Sequence, residues 1–280
     1  MSRKACVIGW PIGHSRSPLI HGYWLRHYGI DGIYERVAVP PGELPAFLNT
    51  LAERGYAGCN VTLPHKEGAF GTVRIADQAT ERLGVVNTVF YRDGELWGTS
   101  TDGEGFLANL ASHAPDWRVD GRNIVVLGAG GAARAIVGAL LDGGSRRLSI
   151  VNRTLARGEE LRRDFDSRVE PHDWNETGRL LEEADLLVNT TSLGMAGQPP
   201  LTIDLAPLPE SAIVADIVYA PLETDLLFRA RSRGNRVVPG LGMLLHQAVR
   251  GFELWFGRRP EVTSELHDLV ARDIDPGFGR

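Results

Sequence analysis

A glycine-rich turn between an apolar strand and a helix carries the clearest chemistry in the sequence. The predicted strand Asn123–Leu127 is followed by Gly128-Ala129-Gly130-Gly131-Ala132-Ala133, which matches the pattern G-x-G-x-x-A. Gly128 permits a tight turn, Gly130 lets backbone N–H groups approach a pyrophosphate, and Ala133 lets the helix pack closely on the strand. The positive end of the helix dipole also attracts phosphate. The pattern predicts a dinucleotide-binding turn, although glycine turns also join elements that bind nothing.

The residues that end the next predicted strand favour NADP over NAD. An NAD site usually has Asp or Glu there, about 20 residues after the glycines, to hold the ribose 2′-OH. This chain has Asn152-Arg153-Thr154 instead. A carboxylate opposes a 2′-phosphate by about 4 kcal/mol at 4 Å and an effective dielectric near 20, whereas Arg153 attracts it. Thr154 is expected to cap the next helix, and Arg157 to share its face, so that two guanidinium groups meet the phosphate. The alternative is a pair of solvated surface arginines.

Four polar clusters in the N-terminal part of the chain lie at predicted strand ends or turns. They are Gly9-Trp-Pro-Ile-Gly-His-Ser-Arg-Ser-Pro18, Asn60-Val-Thr-Leu-Pro-His-Lys66, Val86-Asn-Thr88 and Thr101-Asp-Gly103. Taken separately, most of their residues have a structural explanation. Ser17 and Asp102 are suited to cap helices, Thr62 and Asn87 to end strands, and Gln247 further along to lie on a solvated helix face. Lys66 is the hardest to explain structurally, because a turn rarely needs a lysine so soon after Pro64.

Apolar runs typical of strands alternate with segments of helical period along most of the chain. The predicted strands are Ala5–Gly9, Ile33–Val39, Gly58–Val61, the hairpin Asn87–Tyr91 and Leu96–Thr99 turning at Asp93-Gly94, Arg147–Val151, Ala184–Asn189, Ile213–Ile217 and Arg236–Val238. The predicted helices include Pro18–Tyr28, Glu43–Arg54, Asp102 to about Ser112, Gly242–Phe256 and Val262–Asp273. This alternation indicates an α/β fold with mainly parallel sheets.

Composition and charge exclude several classes of function. With 280 residues, 43% of them hydrophobic, the chain is long enough for two modest domains. A net charge of −5 and the absence of any Lys/Arg run argue against nucleic-acid and membrane partners and favour a small-molecule substrate. Gly9 and Pro11 interrupt the first apolar run, so we expect a cytoplasmic protein. Cys6 and Cys59 are predicted to be buried thiols, and no metal ligand set is recognisable.

Together with Asn189-Thr-Thr-Ser192 and Gly240-Leu-Gly-Met-Leu-Leu-His-Gln247, these motifs resemble shikimate dehydrogenase over essentially the whole chain. That family reduces 3-dehydroshikimate to shikimate with NADPH in aromatic amino acid biosynthesis. The resemblance implies an N-terminal α/β substrate-binding domain over residues 1–104 with a mainly parallel sheet, and a Rossmann-type NADP-binding domain over residues 105–239. Helices in residues 240–280 are expected to pack back on the first domain. Both a monomer and a homodimer stay open.

The resemblance also implies the roles of individual residues. Ser15 and Ser17 hold the substrate carboxylate, and Lys66 with Asp102 forms the catalytic pair. Ring hydroxyls are bound by Thr62, Asn87, Asp102 and Gln247, and Tyr219 helps to close the site. The cofactor residues are Gly128, Ala129, Gly130, Gly131, Ala132, Asn152, Arg153, Thr154, Arg157, Thr190 and Gly240.

Physical chemistry supports part of this assignment. A carboxylate at the start of the helix at Pro18 gains hydroxyl donors, free N–H groups and the helix dipole, so we expect the site to hold an anion without an arginine. Lys66, with an ordinary pKa of about 10.4, is a ready proton donor to the developing alkoxide. We assign Asp102 mainly to orienting Lys66 and binding a hydroxyl; in a stronger version the two share a proton.

The sequence departs from the family pattern at Ser100, Gly22 and Asp225, where Asn, Asn and Pro are common, and no proposed catalytic group is lost. Two alternatives stay open: an enzyme of broader specificity that also uses quinate, and a catalytically silent NADP-binding regulator. Ser15 and Ser17 together favour shikimate, and the presence of both Lys66 and Asp102 argues against the silent regulator.

Overall fold

The computed structural model describes residues 3–279, which divide into two compact units. The first unit holds the described residues up to Thr101 together with Leu245–Val270. The second holds Asp102–Leu244 together with the described residues from Ala271 onward. Within residues 3–279, no helix combines the length and the apolar content that a bilayer crossing requires.

The described residues contain twelve strands and eleven α-helices, which are joined by loops and turns. The strands are β1 (Arg3–Gly9), β2 (Gly32–Ala38), β3 (Tyr56–Val61), β4 (Arg74–Ile75), β5 (Thr88–Arg92), β6 (Glu95–Thr99), β7 (Asn123–Leu127), β8 (Arg147–Val151), β9 (Val169–His172), β10 (Leu186–Asn189), β11 (Ile213–Asp216) and β12 (Arg236–Val238). The helices are α1 (Ser17–His27), α2 (Leu44–Asn49), α3 (Lys66–Phe70), α4 (Gln78–Leu83), α5 (Asp102–His113), α6 (Gly131–Asp142), α7 (Leu155–Asp164), α8 (Thr177–Leu181), α9 (Asp225–Ser232), α10 (Leu241–Phe256) and α11 (Ser264–Ile274).

The first unit is built on a six-stranded sheet in the order β2-β1-β3-β5-β6-β4. The pairings β1 with β2, β1 with β3 and β4 with β6 are parallel, and the two pairings of β5 are antiparallel. The predicted hairpin of β5 and β6 turns at Asp93 and Gly94, whose φ angles of 53° and 79° suit the twist of the two strands. The expectation of a mainly parallel sheet is confirmed.

The second unit contains a six-stranded parallel sheet in the order β12-β11-β10-β7-β8-β9. The chain starts in the middle at β7, runs outward to β9, and then returns to β10 on the other side of β7. This order is that of a Rossmann fold, with its ligand crevice where the direction reverses, outside the carboxyl ends of β7 and β10. The predicted Rossmann-type domain is confirmed.

The core of each unit follows from the apolar runs in its strands. In the first unit, Cys6 and Cys59 are neighbours on β1 and β3 and are fully buried, as predicted. In the same unit, the indole N–H of Trp255 on α10 donates to the carbonyl oxygen of Val89 on β5 at 2.9 Å. A methyl group at Gly58 would overlap the same indole nitrogen, so close packing of α10 requires that glycine.

The structure differs from the predicted elements mainly where segments are short. The predicted helix Glu43–Arg54 is wrong in extent, because α2 ends at Asn49 and the chain then turns to Gly55, whose φ is 81°. The hydroxyl of Thr50, which directly follows α2, donates back to the carbonyl oxygen of Ala46 at 2.8 Å. Helices α3, α4 and α8 and strands β4 and β9 were not predicted, because two to six residues carry no clear periodicity.

Candidate active site

The strand order of the first unit brings its polar clusters to one edge of the sheet. β1 and β3 are parallel and end there, β5 begins there because it is antiparallel to β3, and β6 ends there because it is antiparallel to β5. Residues that follow β1, β3 and β6 or precede β5 therefore lie at this edge. They include Ser15, Ser17, Thr62, Lys66, Asn87 and Thr101.

The two serines form a compact turn at the start of α1. Ser17 is the first residue of this helix, with Arg16 at the N-cap and Pro18 next, so the structural explanation of Ser17 as an N-cap is wrong. The Ser15 hydroxyl oxygen accepts a bond from the Ser17 N–H at 3.3 Å and lies 3.2 Å from the Ser17 hydroxyl. No side-chain bond caps α1. The turn therefore offers two adjacent hydroxyls at the positive end of an eleven-residue helix.

A directed chain of hydrogen bonds orients the Asn87 side chain. Thr88 donates its hydroxyl to Asn87 Oδ1 at 3.0 Å, and the backbone N–H of Thr101 donates to the same oxygen at 2.9 Å. Asn87 Nδ2 donates to the Thr101 hydroxyl at 3.1 Å, and that hydroxyl donates to the carbonyl oxygen of Gln247 at 2.9 Å. The Gln247 Oε1 lies 3.5 Å from Asn87 Nδ2. Gln247 is thus half-buried beside Asn87 and not on a solvated face.

The same chain continues to residues that the sequence did not single out. Asn60 donates its Nδ2 to the Thr88 hydroxyl at 3.2 Å and accepts a bond from the Tyr34 hydroxyl at 2.6 Å. Asn60 lies within one of the quoted motifs, whereas nothing local marks Tyr34. The His21 ring stacks on Tyr34 with ring centroids 4.0 Å apart. Burial lowers the pKa of His21 from 6.5 to about 3, the nearby Asn60 only partly opposing it, so His21 is a neutral support.

Lys66 is the first residue of α3 and is half-buried. Its carbonyl oxygen accepts a bond from the N–H of Val86 at 3.0 Å, which ties α3 to the residue before Asn87. Thr62 lies on the same turn, and its N–H donates to the carbonyl oxygen of Ile8 at 3.0 Å. Asp102 is buried, begins α5, and belongs to the second unit. The main-chain bonds of the first unit therefore place Lys66, Thr62 and Asn87 at the same edge of the sheet, on two different connections.

The glycine turn of the second unit follows β7 as predicted. Gly128 has a φ of 103°, and its N–H donates to the carbonyl oxygen of Val151 at the end of β8 at 2.8 Å. Gly130 is the N-cap of α6, with extended backbone angles and no side-chain capping bond. A methyl group at Gly130 or Gly131 would meet no atom of the chain within 4 Å. Packing within the protein does not demand these two glycines, whereas close approach of a pyrophosphate does, so the turn fits a dinucleotide.

Arg153, Thr154 and Arg157 are all exposed at the start of α7. Thr154 is the N-cap residue, but its side chain makes no capping bond, so the predicted cap is wrong in that respect. Asn152 instead closes the turn, its Nδ2 donating to the carbonyl oxygen of Thr154 at 2.8 Å. No carboxylate within residues 3–279 lies in ion-pair distance of either guanidinium, so both arginines remain available to a phosphate.

The loops after β10 and β11 are joined by the buried carboxylate of Asp216. It accepts bonds from Asn189 Nδ2 at 2.9 Å, from the Thr224 hydroxyl at 2.8 Å and from the Val218 N–H at 3.0 Å. Burial raises the pKa of Asp216 from 3.8 to about 6, although the three donors oppose the shift. This carboxylate holds the segments that lead to the candidate residues Thr190 and Tyr219.

Two further candidate residues of the second unit, Thr190 and Gly240, have different surroundings. Thr190 donates its hydroxyl to the carbonyl oxygen of Leu127 at 2.6 Å, which ties it to the strand before the glycine turn. Gly240 is buried, and a methyl group there would lie 2.5 Å from the backbone of Ile217 and Val218. Packing therefore accounts for that glycine. Residues 3–279 contain no cluster of three His, Cys, Asp or Glu side chains arranged to bind a metal.

Three family models match the chain. They describe the shikimate dehydrogenase substrate binding domain over residues 7–89, shikimate / quinate 5-dehydrogenase over residues 109–196, and the shikimate 5′-dehydrogenase C-terminal domain over residues 240–264. A curated relative from Methylocella silvestris, named shikimate dehydrogenase (NADP(+)), is 55% identical over 272 residues, which is 97% of each chain.

Solved structures of related dehydrogenases are similar to this chain over nearly its whole length, at lower sequence identity. Shikimate dehydrogenase from Thermus thermophilus, solved with NADP(H) and shikimate, has a TM-score of 0.85 at 34% identity and covers 96% of this chain and 99% of its own. Quinate dehydrogenase from Corynebacterium glutamicum, solved with NAD, has a TM-score of 0.88 at 28% identity and covers 96% and 98%.

Proposed function

The chain belongs to the shikimate dehydrogenase family, and we propose that it catalyses the reversible, NADPH-dependent reduction of 3-dehydroshikimate to shikimate. The observation that carries the proposal is the strand order of the first unit, which places residues with hydroxyl, amide and ammonium groups at one edge of the sheet. A hydroxylated ring acid needs an anion site and several neutral hydrogen-bonding groups, and this edge offers both. The reaction is a step of aromatic amino acid biosynthesis.

Substrate recognition is assigned to the first unit together with Asp102 and Tyr219. Ser15 and Ser17 bind the carboxylate at the start of α1, where the hydroxyls and the dipole favour an anion. Thr62, Asn87, Asp102 and Gln247 bind the ring hydroxyls, and Tyr219 helps to close the site. The fixed orientation of Asn87 supports its part, because Thr88 and Thr101 already determine which way its amide points.

Proton transfer is assigned to Lys66. Reduction of the ketone places negative charge on its oxygen, and a lysine ammonium stabilises that charge and donates the proton. In the reverse direction Lys66 accepts the proton from the hydroxyl. Asp102 serves the same reaction as hydroxyl ligand and as the carboxylate partner of Lys66. Both residues have the chemistry that the step requires, and neither needs a metal.

NADPH, when bound, supplies the hydride that reduces the ketone carbon. The pyrophosphate is held by the turn Gly128–Ala132, whose glycines leave open space. Arg153 and Arg157 bind the 2′-phosphate, with Asn152 and Thr154 shaping the turn that presents them. Thr190 and Gly240 complete the cofactor residues. The exposed arginines and the missing acidic residue at the end of β8 support NADP over NAD.

The proposal also covers the domain boundaries, the oligomeric state and the cellular compartment of the enzyme. Residues 1–104 bind substrate, residues 105–239 bind NADP, and the helices of residues 240–280 return to the substrate domain. The segment Leu245–Val270 groups with the first unit, which supports this assignment for most of these residues, whereas the described residues from Ala271 onward group with the second unit. We place the enzyme in the cytoplasm, where NADPH is available, as a monomer or a homodimer.

An absorbance assay tests the function. Purified protein is mixed with NADP and either shikimate or quinate, and formation of the reduced cofactor is followed. We expect turnover with shikimate, and weaker turnover with quinate, which carries an added hydroxyl on the carbon bearing the carboxylate. Support for shikimate comes from the 55% identity to a shikimate dehydrogenase against 28% to a quinate dehydrogenase.

Each result of that assay has a distinct meaning. Equal turnover of both acids establishes the broader specificity. Absence of turnover with both acids, while NADP still raises the melting temperature, identifies a silent NADP-binding regulator and refutes the proposal. Lys66→Ala serves as the matched control, because it removes the proton donor and leaves the glycine turn intact.

A further inference from the structure

The main chain of the serine turn is held by an arginine from a neighbouring strand. Arg36 lies on β2, and its Nε and Nη2 donate to the carbonyl oxygen of Ser15 at 2.8 and 2.6 Å. Both bonds reach one oxygen, so the peptide that follows Ser15 is fixed from the side by a rigid guanidinium fork. This is the peptide that leads into Ser17 and the start of α1.

The surroundings of Arg36 leave most of its hydrogen-bonding capacity unused. A guanidinium has five N–H donors, and the Ser15 carbonyl takes two of them. Within residues 3–279, no carboxylate forms an ion pair with Arg36, which is exposed. The adjacent Glu35 points to the other face of β2, where it pairs with Lys4 at 2.7 Å and binds the Tyr56 hydroxyl.

The start of α1, beside Arg36, also has an unfavourable concentration of positive charge. The first turn of α1 contains no acidic residue, and Arg16 stands at its N-cap. Arg36 adds a second cation beside the positive end of the helix dipole, where cations are unfavourable and anions favourable. In the free protein this arrangement is repulsive, and a bound carboxylate relieves it.

We propose that Arg36 is a positioning residue for the substrate carboxylate, which fixes the Ser15 peptide and supplies the positive charge that the two serines lack. The proposal rests on the assignment of shikimate as substrate. It replaces the expectation that neutral groups alone hold the anion. Arg36 then makes the site selective for a carboxylate over an uncharged ester of the same ring.

Kinetics with two substrates of different charge test the proposal. Arg36→Gln and Arg36→Lys are assayed with NADP and with either shikimate or its methyl ester, which keeps the ring hydroxyls and loses the charge. We expect Arg36→Gln to raise KM for shikimate about tenfold, which is the effect that loss of one charge-assisted interaction produces. The value of kcat is expected to stay within about twofold of the wild-type value. KM for NADP is expected to stay unchanged, and KM for the ester is expected to rise less than KM for shikimate, because the ester depends on the fixed Ser15 peptide but not on the positive charge. Arg36→Lys is expected to recover part of the loss, because it keeps the charge but not the fork.

Arg54→Gln is the matched control. Arg54 is also exposed and in the first unit, and its Nε donates to the Thr50 hydroxyl at 3.0 Å. It precedes β3, so it lies at the edge of the sheet opposite to Ser15, and the variant carries the same loss of charge. We expect it to keep the wild-type KM for both substrates.

The outcomes separate the proposal from the proposed function. Wild-type protein that fails to oxidise shikimate refutes the function. An active wild type with an unchanged KM for shikimate in Arg36→Gln refutes only the role of Arg36. Equal losses with shikimate and with the ester also refute it, because they indicate a general structural role. The comparison of acid and ester uses one folded preparation, so it decides the matter even if the variant melts at a lower temperature.

Discussion

Two glycines of the turn after β7, Gly128 and Gly130, allow cofactor binding to be separated from folding. Gly130 has φ −90° and ψ −173°, angles that any residue adopts, and a methyl group there meets no atom of the chain within 4 Å. Gly128 has φ 103°, and a methyl group there would lie 2.8 Å from the Thr190 hydroxyl oxygen. We therefore expect Gly130→Ala to fold normally and bind NADPH poorly, and Gly128→Ala to fold poorly.

The magnitudes follow from these surroundings. Alanine at position 130 reduces the conformational freedom of the unfolded chain, which stabilises the folded protein by about 0.4–1 kcal/mol. Alanine is also a poorer N-cap residue than glycine, and this destabilises the folded protein by a similar amount. The free energy of unfolding of Gly130→Ala should therefore change by less than about 0.5 kcal/mol. Gly128→Ala costs about 2 kcal/mol, from the positive φ and from crowding against Thr190, which is held by its bond to Leu127. Its melting temperature should fall by about 5 °C.

Melting curves with and without NADPH measure both effects. At about 100 times the dissociation constant, a ligand stabilises the folded protein by about 2.7 kcal/mol. A tenfold weaker constant at the same concentration leaves about 1.4 kcal/mol, so the shift in melting temperature caused by NADPH is roughly halved in Gly130→Ala. Normal stabilisation of Gly130→Ala by NADPH would show that the turn does not approach the pyrophosphate. A lowered melting temperature of that variant without cofactor would show that the glycine is structural.

Three further predictions concern charged groups. Arg153→Ala is expected to raise KM for NADPH by about 10- to 100-fold and KM for NADH little, and equal effects on both cofactors contradict the NADP assignment. Lys66→Ala is expected to lower kcat by about 10²- to 10⁴-fold, and a near-normal kcat excludes its role as proton donor. Because the pKa of Asp216 is raised to about 6, its contribution to stability is present below about pH 4 and lost as pH rises through 6. Urea unfolding should show wild type losing about 3 kcal/mol relative to Asp216→Asn between these limits, and parallel profiles would contradict the raised pKa.

The first βαβ segment of the second unit was predictable because its signals are local. The strand, the glycine turn and the helix from Asn123 onward are continuous in sequence, and each residue type has one reason to be there. The end of β8 lies in the next element along the chain, so the cofactor half of the site could be assembled from neighbouring segments. The structural role of Asp216 was not predicted, because it depends on Asn189, which lies 27 residues earlier at the end of β10.

The first unit was less predictable because its site depends on which strands pair. The motifs that contain Thr62, Asn87 and Gln247 could be found, but the bonds between Asn87, Thr101 and Gln247 span up to 160 residues. Tyr34 on β2 reaches this network through Asn60 on β3, and the two strands become close only because β1 pairs with both. Short elements such as α3, which presents Lys66, lack the periodicity that marks a helix.

The proposed carboxylate site illustrates how strand register determines which charged side chain lies beside a motif. Arg36 is 21 residues from Ser15, and it reaches that residue because β2 is parallel to β1 with Arg36 opposite Val7. Side chains alternate between the two faces of a strand, so a slip of one residue would place Glu35 where Arg36 now lies. The site would then carry a negative charge beside the serines and repel a carboxylate. The β1–β2 register therefore determines whether the electrostatic potential at this end of α1 is positive or negative. The serine motif alone does not predict it.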